Sequence, residues 1–278
     1  MSRYNTKYSG TPVKKSYGVI LCRMLLSNNE IEVMMVKKRV SFHYVEFVMH
    51  PYSRNDEESI LRLFDNMSSD EKIDILSLEY PKMYARIWLI NPELGRLSSD
   101  VKLSAERYEK YLFLKNSFEK NFVTHDGGKR LRELINRSET VDSLWEIPKG
   151  RKANPQERDL TCAVRELEEE TGIPATDFNV LHDAPIVLVY NNARVKYVNT
   201  YFIALLNSAG EKWNQPRNLR INYESSQQIS EISHISWMNI HKIGTVDIAN
   251  RFVPMLNKLF KRLRKKYKIH KLYRLKLI

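Results

Sequence analysis

The sequence predicts an α+β fold in which a mixed sheet is interrupted by a helical insertion domain, and three observations carry that expectation. Short apolar, partly β-branched runs cluster at 17–37 and again at 185–238. Between them, over roughly 50–138, apolar residues recur at helical spacing. A carboxylate-rich helix near 165–173 then leads into the later strands. With 278 residues the chain can form one large domain or two smaller ones around a real core. Its 42% hydrophobic and 28% charged residues predict a soluble, globular protein.

In chain order, 17–23 and 32–37 read as a hairpin joined through the turn-like Ser27-Asn28-Asn29. Asn55 with Glu58 and Ser68 with Glu71 have capping-box spacing. Each pair precedes apolar periodicity, Ile60, Leu61, Leu63 and Phe64 in the first case, Ile73, Leu76 and Leu78 in the second. Tyr111, Leu114, Phe118 and Phe122 form an apolar stripe expected to be core, and His125-Asp126-Gly127-Gly128 ends that helix. Residues 185–190, 196–205 and 231–238 read as further strands. Phe252, Leu256, Leu259, Phe260 and Leu263 then keep helical spacing, which leaves Lys258, Lys261, Arg262, Arg264 and Lys265 outside. The expected division is a discontinuous catalytic domain, 1–49 and 139–278, ending in a basic helix, around an insertion at 50–138.

No run approaches 18 apolar residues, and the opening MSRYNTKYSG lacks the apolar centre of a signal peptide, so a cytosolic or nuclear protein is expected and no membrane partner. Cys22 and Cys162 support neither a disulfide framework nor a zinc site and read as buried thiols. The formal charge of +12 is unevenly placed: residues 251–278 contain eleven basic and no acidic side chains, whereas 139–250 are net acidic. Basic arms around an acidic segment fit a polyanion gripped at its body while its reacting end meets metal. Basic tails that only keep a protein soluble are the plainer alternative.

The acidic segment contains Arg165-Glu166-Leu167-Glu168-Glu169-Glu170-Thr171-Gly172-Ile173, with Glu157 eight positions ahead of the arginine. Glu166, Glu169 and Glu170 stand at i, i+3 and i+4, so three carboxylates share one helix face. Like charges at that spacing cost about 0.2–0.5 kcal/mol per pair, which makes sense if a divalent cation, Mg2+ or Mn2+, sits among them. Glycine at 172 suits a left-handed helix end.

This run resembles the Nudix box, on which Glu157, Arg165, Glu166, Leu167, Glu169, Glu170, Gly172 and Ile173 all fall. Between Gly150 and Glu157 stand six residues where the box has five. The resemblance implies an α/β/α sandwich and metal-dependent hydrolysis of a nucleoside diphosphate linked to another group. It assigns Glu166, Glu169 and Glu170 as metal ligands, the Lys149 carbonyl as a further one, and Glu157 as the partner of Arg165. Gly150 and Gly172 are structural positions of the box. Glu169 and Glu231 are the catalytic candidates, Glu231 as the downstream carboxylate that completes the metal site or serves as base, with Glu224 as its alternative. His234 and His241 read as structural.

The run Trp145-Glu-Ile-Pro-Lys149-Gly150, the interrupted hairpin and the basic last helix resemble the mRNA-decapping Nudix proteins of large cytoplasmic DNA viruses. That resemblance implies capped mRNA as partner, 7-methyl-GDP and 5′-monophosphate RNA as products, and a cytoplasmic or virion location. The RNA-binding candidates are Lys149, the insertion set Lys110, Lys115, Lys120, Lys129, Arg130 and Arg132, and the tail set Lys261, Arg262, Arg264, Lys265 and Lys266. Tyr17, Phe42, Tyr44 and Tyr190 are aromatic rings that could stack on a base or pack in the core. A diphosphoinositol polyphosphate hydrolase and a non-catalytic RNA-binding protein are the other readings. Residues 261–266 also fit a nuclear address, and self-association through the insertion stays open.

Overall fold

The computed structural model describes residues 12–25, 30–52, 55–77, 79–88, 105–139, 144–192, 195–214, 217–247 and 250–266. In chain order its elements are β1 (Val13–Leu25), β2 (Glu30–Lys38), α1 (Phe42–Met49), α2 (Glu57–Asp65), α3 (Ser69–Ser77), α4 (Tyr80–Trp88), α5 (Ala105–Phe118) and α6 (Lys129–Arg137). There follow β3 (Trp145–Glu146), β4 (Lys149–Gly150), α7 (Asp159–Thr171), β5 (Phe178–Val180), β6 (Ile186–Asn192), β7 (Val195–Leu206), β8 (Asn218–Leu219), α8 (Ser226–Glu231), β9 (Ile232–Asn239), α9 (Ile240–Val246) and α10 (Val253–Lys266). They divide into two compact units, one of residues 1–36, 147–222 and 235–239, the other of 37–146, 223–234 and 240–278.

The first unit is built on a mixed sheet, as the sequence predicts. Its order is β5-β7-β1-β2-β9-β8, with β6 also on β7 and β4 on β1. β1 and β2 are antiparallel, Cys22 facing Val33 and Leu25 facing Glu30, so the expected hairpin forms; its turn, Ser27-Asn28-Asn29, lies outside the described residues. β1 and β7 run parallel from Val13 against Lys196 to Cys22 against Leu205. Residues 19–22 and 33–36 are buried on both faces, which is why they read as continuous apolar runs rather than alternating ones. α7 adds Cys162, Ala163 and Leu167 to this core. At its end Gly172 takes φ +73°, and its N–H donates to the Glu168 carbonyl at 2.8 Å.

Trp237 is fully buried within the same unit. Its indole N–H donates to the Trp213 carbonyl at 2.9 Å, and the Arg23 guanidinium lies 4.7 Å from its ring. Arg23 in turn donates to Glu32 at 2.8 and 2.6 Å and to the carbonyls of Trp213 and Asn214. A buried charge needs such full pairing to be tolerated.

The second unit is helical and closes on aromatic residues. Phe47 meets Phe64 at 4.9 Å and Phe122 at 5.6 Å between ring centres, while Tyr84 meets Tyr111 at 4.9 Å in edge-to-face contact. Tyr111, Leu114, Phe118 and Phe122 are all in this core, as their spacing predicts, although the last turn, Glu119–Thr124, widens to a π-helix. Asp126 then accepts from the N–H groups of Gly128 and Arg130, and Gly127 and Gly128 at φ +63° and +76° turn the chain into α6.

Several sequence expectations shift here. The helical unit begins at Lys37 rather than 50, because 42–49 forms α1: the Ser41 hydroxyl caps it by accepting from the Tyr44 N–H, and Tyr44, Phe47 and Val48 turn into the aromatic core. It runs to Glu146 rather than 138, and α10 also belongs to it. The Ser68–Glu71 capping box forms in both directions, whereas α2 starts at Asp56 without a side-chain cap, not at Asn55. Ile73 and Leu76 are exposed, and Ile75 is the buried apolar residue of α3. The helix is turned that way because Glu71 accepts from the Ser41 N–H while Lys72 donates to the Glu139 carbonyl. Leu78 lies outside the described residues.

α10 keeps its predicted face: Phe252, Leu256, Leu259, Phe260 and Leu263 are buried, and Lys258, Lys261, Arg262, Arg264, Lys265 and Lys266 are exposed. Asp247 fixes its entry by accepting from the N–H groups of Arg251, Phe252 and Val253. Among the described residues no helix is long and apolar enough to cross a membrane.

Candidate active site

The site is assembled where β4 joins β1. Gly150 pairs with Tyr17 and Lys149 with Gly18, and this close approach needs glycine at 18, where a Cβ would stand 2.2 Å from the Pro148 carbonyl oxygen. β4 thus brings the start of the carboxylate motif beside α7. Glu170, the buried member of the trio, accepts from the Lys149 N–H at 3.2 Å. Glu166 lies directly over Gly150: a Cβ there would fall 2.1–2.3 Å from its carboxylate atoms. The extra residue between Gly150 and Glu157 therefore leaves glycine at the position that must hold no side chain.

Arg165 organises the carboxylates. Its Nε donates to Glu157 Oε1 at 2.8 Å, and one Nη donates to both Glu166 Oε1 at 2.9 Å and Glu169 Oε2 at 2.8 Å. The other Nη reaches Glu157 Oε2 and the Arg151 carbonyl. The Glu157–Arg165 pair expected from the resemblance is present, and Arg165 also contacts two of the three proposed ligands, which helical spacing alone does not reveal for Glu166. The pairing raises Arg165 further above its usual range. It draws Glu157 down to about 2, with the Ala153 N–H adding to the effect.

A depressed carboxylate contributes stability above its unfolded value of about 4.3 and loses it as pH falls through the folded value. The melting-temperature difference between the native chain and Glu157→Gln is therefore expected to be full near pH 6 and to shrink between about pH 4.5 and 2. A difference that stayed constant on acidification would remove the ion pair as its source.

Among the described residues no three His, Cys, Asp or Glu side chains close on a common point. The donor set still fits a hard divalent cation: it is all oxygen, it crowds one helix face, and the space left by Gly150 is filled by a carboxylate rather than by an apolar group. Glu166, Glu169 and Glu170 would hold the ion. Gly150→Ala tests the cradle. Because only the flexible end of Glu166 must move, thermal stability should change little, while metal-dependent turnover should fall by roughly 10- to 100-fold, as when a metal ligand loses its support. Retained turnover would dissociate Gly150 from ligand placement.

The thiols are inert by burial, which pushes Cys162 up to about 11 and Cys22 up to about 12. The remaining sequence candidates are placed as follows. Glu231 ends α8 in the helical unit, exposed, with its carboxylate 3.1 Å from Lys38 Nζ, and Glu224 is exposed just before that helix. His234 is exposed, with its ring 6.3 Å from that of Trp145, and His241 is exposed. Of the insertion set, Lys110, Lys120, Lys129 and Arg132 are exposed and Lys115 and Arg130 half-buried; Lys115 pairs with Glu119 and Lys129 with Glu133. Tyr44 is fully buried and Tyr190 stacks on Tyr197 at 5.1 Å, so both pack, whereas Phe42 is exposed. Sequence reasoning passed over Arg151, whose carbonyl helps hold Arg165; its signal, a backbone oxygen, leaves no trace in residue type.

Carboxylates gathered on one helix by an arginine, beside a glycine cradle on a mixed sheet, define a metal-dependent phosphohydrolase class. The chain belongs to the Nudix family: the NUDIX domain model matches residues 122–259. It is 35% identical over 252 residues, covering 89% of this chain and 93% of the relative, to the mRNA-decapping protein g5R of African swine fever virus. With g5R of a Kenyan pig isolate of that virus it shares 37% identity, over 83% of this chain and 87% of the other. A solved Caenorhabditis elegans Ap4A hydrolase aligns over 90% of this chain and 98% of its own at 13% identity, with a TM-score of only 0.42. Nudix hydrolases generally need divalent metal ions.

Proposed function

We propose that this chain is an mRNA-decapping Nudix hydrolase that uses Mg2+ or Mn2+ to release 7-methyl-GDP and leave 5′-monophosphate RNA. The observation that carries the reading is identity of 35–37% across nearly the whole length of relatives named as mRNA-decapping proteins. The complete carboxylate set and the basic surface of α10 support it.

A polyphosphate repels an incoming hydroxide, and a bound divalent ion neutralises phosphate oxygens and lowers the pKa of water. The chain's own residues supply the rest. Glu166, Glu169 and Glu170 provide the negative oxygens, Arg165 and Glu157 fix the helix face that bears them, and the Lys149 N–H holds Glu170 in place. Water oxygen adds to phosphorus as one phosphoanhydride bond breaks. The water's proton passes to a carboxylate, Glu169 or Glu231. The exposed cations of α10, with the insertion set and Lys149, grip the RNA body. The viral relatives support action on host messages in the cytoplasm or viral factory, with host shutoff as the result and the virion as a further location.

Cap-labelled RNA incubated with Mg2+ or Mn2+ should yield labelled 7-methyl-GDP, whereas a preference for diphosphoinositol polyphosphate would replace this reading. Glu231→Gln should lower kcat by about 10²-fold or more with little change in KM if Glu231 accepts the proton. An inactive Glu224→Gln beside a normal Glu231→Gln would move that role to Glu224.

A further inference from the structure

The helical unit contains a cavity of about 400 Å3 that none of the roles above uses. Cations dominate its lining: Lys37 and Lys38 at the end of β2, Arg39 just beyond it, and Lys82 and Arg86 on α4, against the single carboxylate Asp70. Some of this charge is answered nearby. Lys37 is 3.4 Å from Asp70, Lys38 pairs with Glu231 and Glu146, and Arg86 pairs with Asp74. Arg39 instead donates to the neutral carbonyls of Ile229 and Ile232, and Lys82 is exposed. Among the described residues neither Arg39 nor Lys82 is paired with a carboxylate.

Arg39 is lowered from its ordinary range, first by burial and then by the charge of Arg86. Positive charge is thus crowded at the cavity wall, and an entering anion relieves it. The volume lies within the roughly 300–1,000 Å3 of small-ligand sites, far more than one bare phosphate fills. The rest of the lining is Leu144, Ser233 and His234, so among the described residues its one ring is the His234 imidazole, with no Phe, Tyr or Trp beside it. Five Lys and Arg side chains against one carboxylate suit a sugar–phosphate chain, which Lys and Arg hold through charge-assisted hydrogen bonds.

We propose that this cavity is a backbone-binding site for single-stranded RNA, formed by Arg39 and Lys82 with Lys37, Lys38 and Arg86 and held in check by Asp70. It deepens the decapping reading, since a grip on the RNA body is separate from the chemistry at its capped end. The same oxyanion chemistry is offered by small polyphosphates, and the test separates the two sources.

The full-length chain is titrated with a fluorescent, uncapped single-stranded RNA at several salt concentrations, with tripolyphosphate and inositol hexakisphosphate as competitors. Lys82→Glu should weaken RNA binding roughly three- to tenfold, and Lys82→Ala should make the salt slope about 0.7 less steep, one phosphate contact's worth. Asp70→Asn should tighten binding roughly two- to threefold, a gain that a misfolded variant does not give. Wild-type affinity and slope in all three variants would overturn the proposal. So would polyphosphate binding that responds to Lys82→Glu while RNA binding does not, since the cavity would then serve a small anion. Because the probe has no cap, either result stands apart from whether the chain decaps mRNA.

Discussion

Glu169→Gln is expected to abolish measurable cap hydrolysis, a fall of about 10²–10⁴-fold or more, while RNA affinity and folding stay close to native. The amide keeps the size of the side chain and can still accept from Arg165 Nη, now 2.8 Å from the carboxylate, but it lacks the negative charge that a divalent ion requires. Glu170→Gln should be as inactive, with a larger structural cost because Glu170 is buried and accepts from the Lys149 N–H. Stability therefore separates the two: Glu169→Gln should melt within about 0.5 kcal/mol of the native chain, the range of ordinary partly exposed substitutions. Near-normal turnover of Glu169→Gln at saturating metal would remove it from the ligand set and leave only its contact with Arg165.

How much of this was legible in the sequence depends on where each signal resides. The carboxylate helix was legible because its function imposes residue types at fixed spacings, from Glu157 to Gly172, and side-chain spacing survives in one dimension. α10 was legible for the same reason, its five apolar positions recurring on one face. The boundary at Lys37 was not. Residues 42–49 are mostly aromatic or β-branched, which leaves only a weak local signal for α1, and they become helical because Ser41 caps them and an aromatic core receives Tyr44, Phe47 and Val48. Tertiary burial decided there, as it did for α3, where the Glu71 and Lys72 hydrogen bonds turned Ile73 and Leu76 outward. The closeness of Glu166 to Gly150 was equally hidden, since it arises from the pairing of β4 with β1.

That division bears on how substrate binding can be separated from chemistry. Glu166 and Glu169, two of the groups proposed to act on the cap, share one nitrogen of Arg165, so substitutions among these three are expected to be strongly non-additive. The cations of α10 stand on the face opposite its buried residues, where side chains can be changed without disturbing the helix.

Replacing Lys261, Arg262, Arg264, Lys265 and Lys266 together with alanine should therefore weaken binding of long single-stranded RNA roughly tenfold or more at low salt and leave hydrolysis of a short capped nucleotide nearly unchanged. If these five neutralise about five phosphates, the logarithm of native affinity falls with the logarithm of salt at a slope of at least about −3.5, and the variant should lose most of that share. Alanine has the highest helix propensity, and Leu256, Leu259, Phe260 and Leu263 keep the helix docked. Arg264, Lys265 and Lys266 also occupy the last turn, where cations favour the helix dipole by about 0.3–1 kcal/mol each, so a small drop in melting temperature is expected and is itself salt-sensitive. Binding energy from the RNA body can serve the reacting end, so native enzyme should prefer long capped RNA over free cap analogue, and the variant should lose that preference. An unchanged slope and an intact preference would take α10 out of the RNA path and shift the grip to Lys110, Lys115, Lys120, Lys129, Arg130 and Arg132.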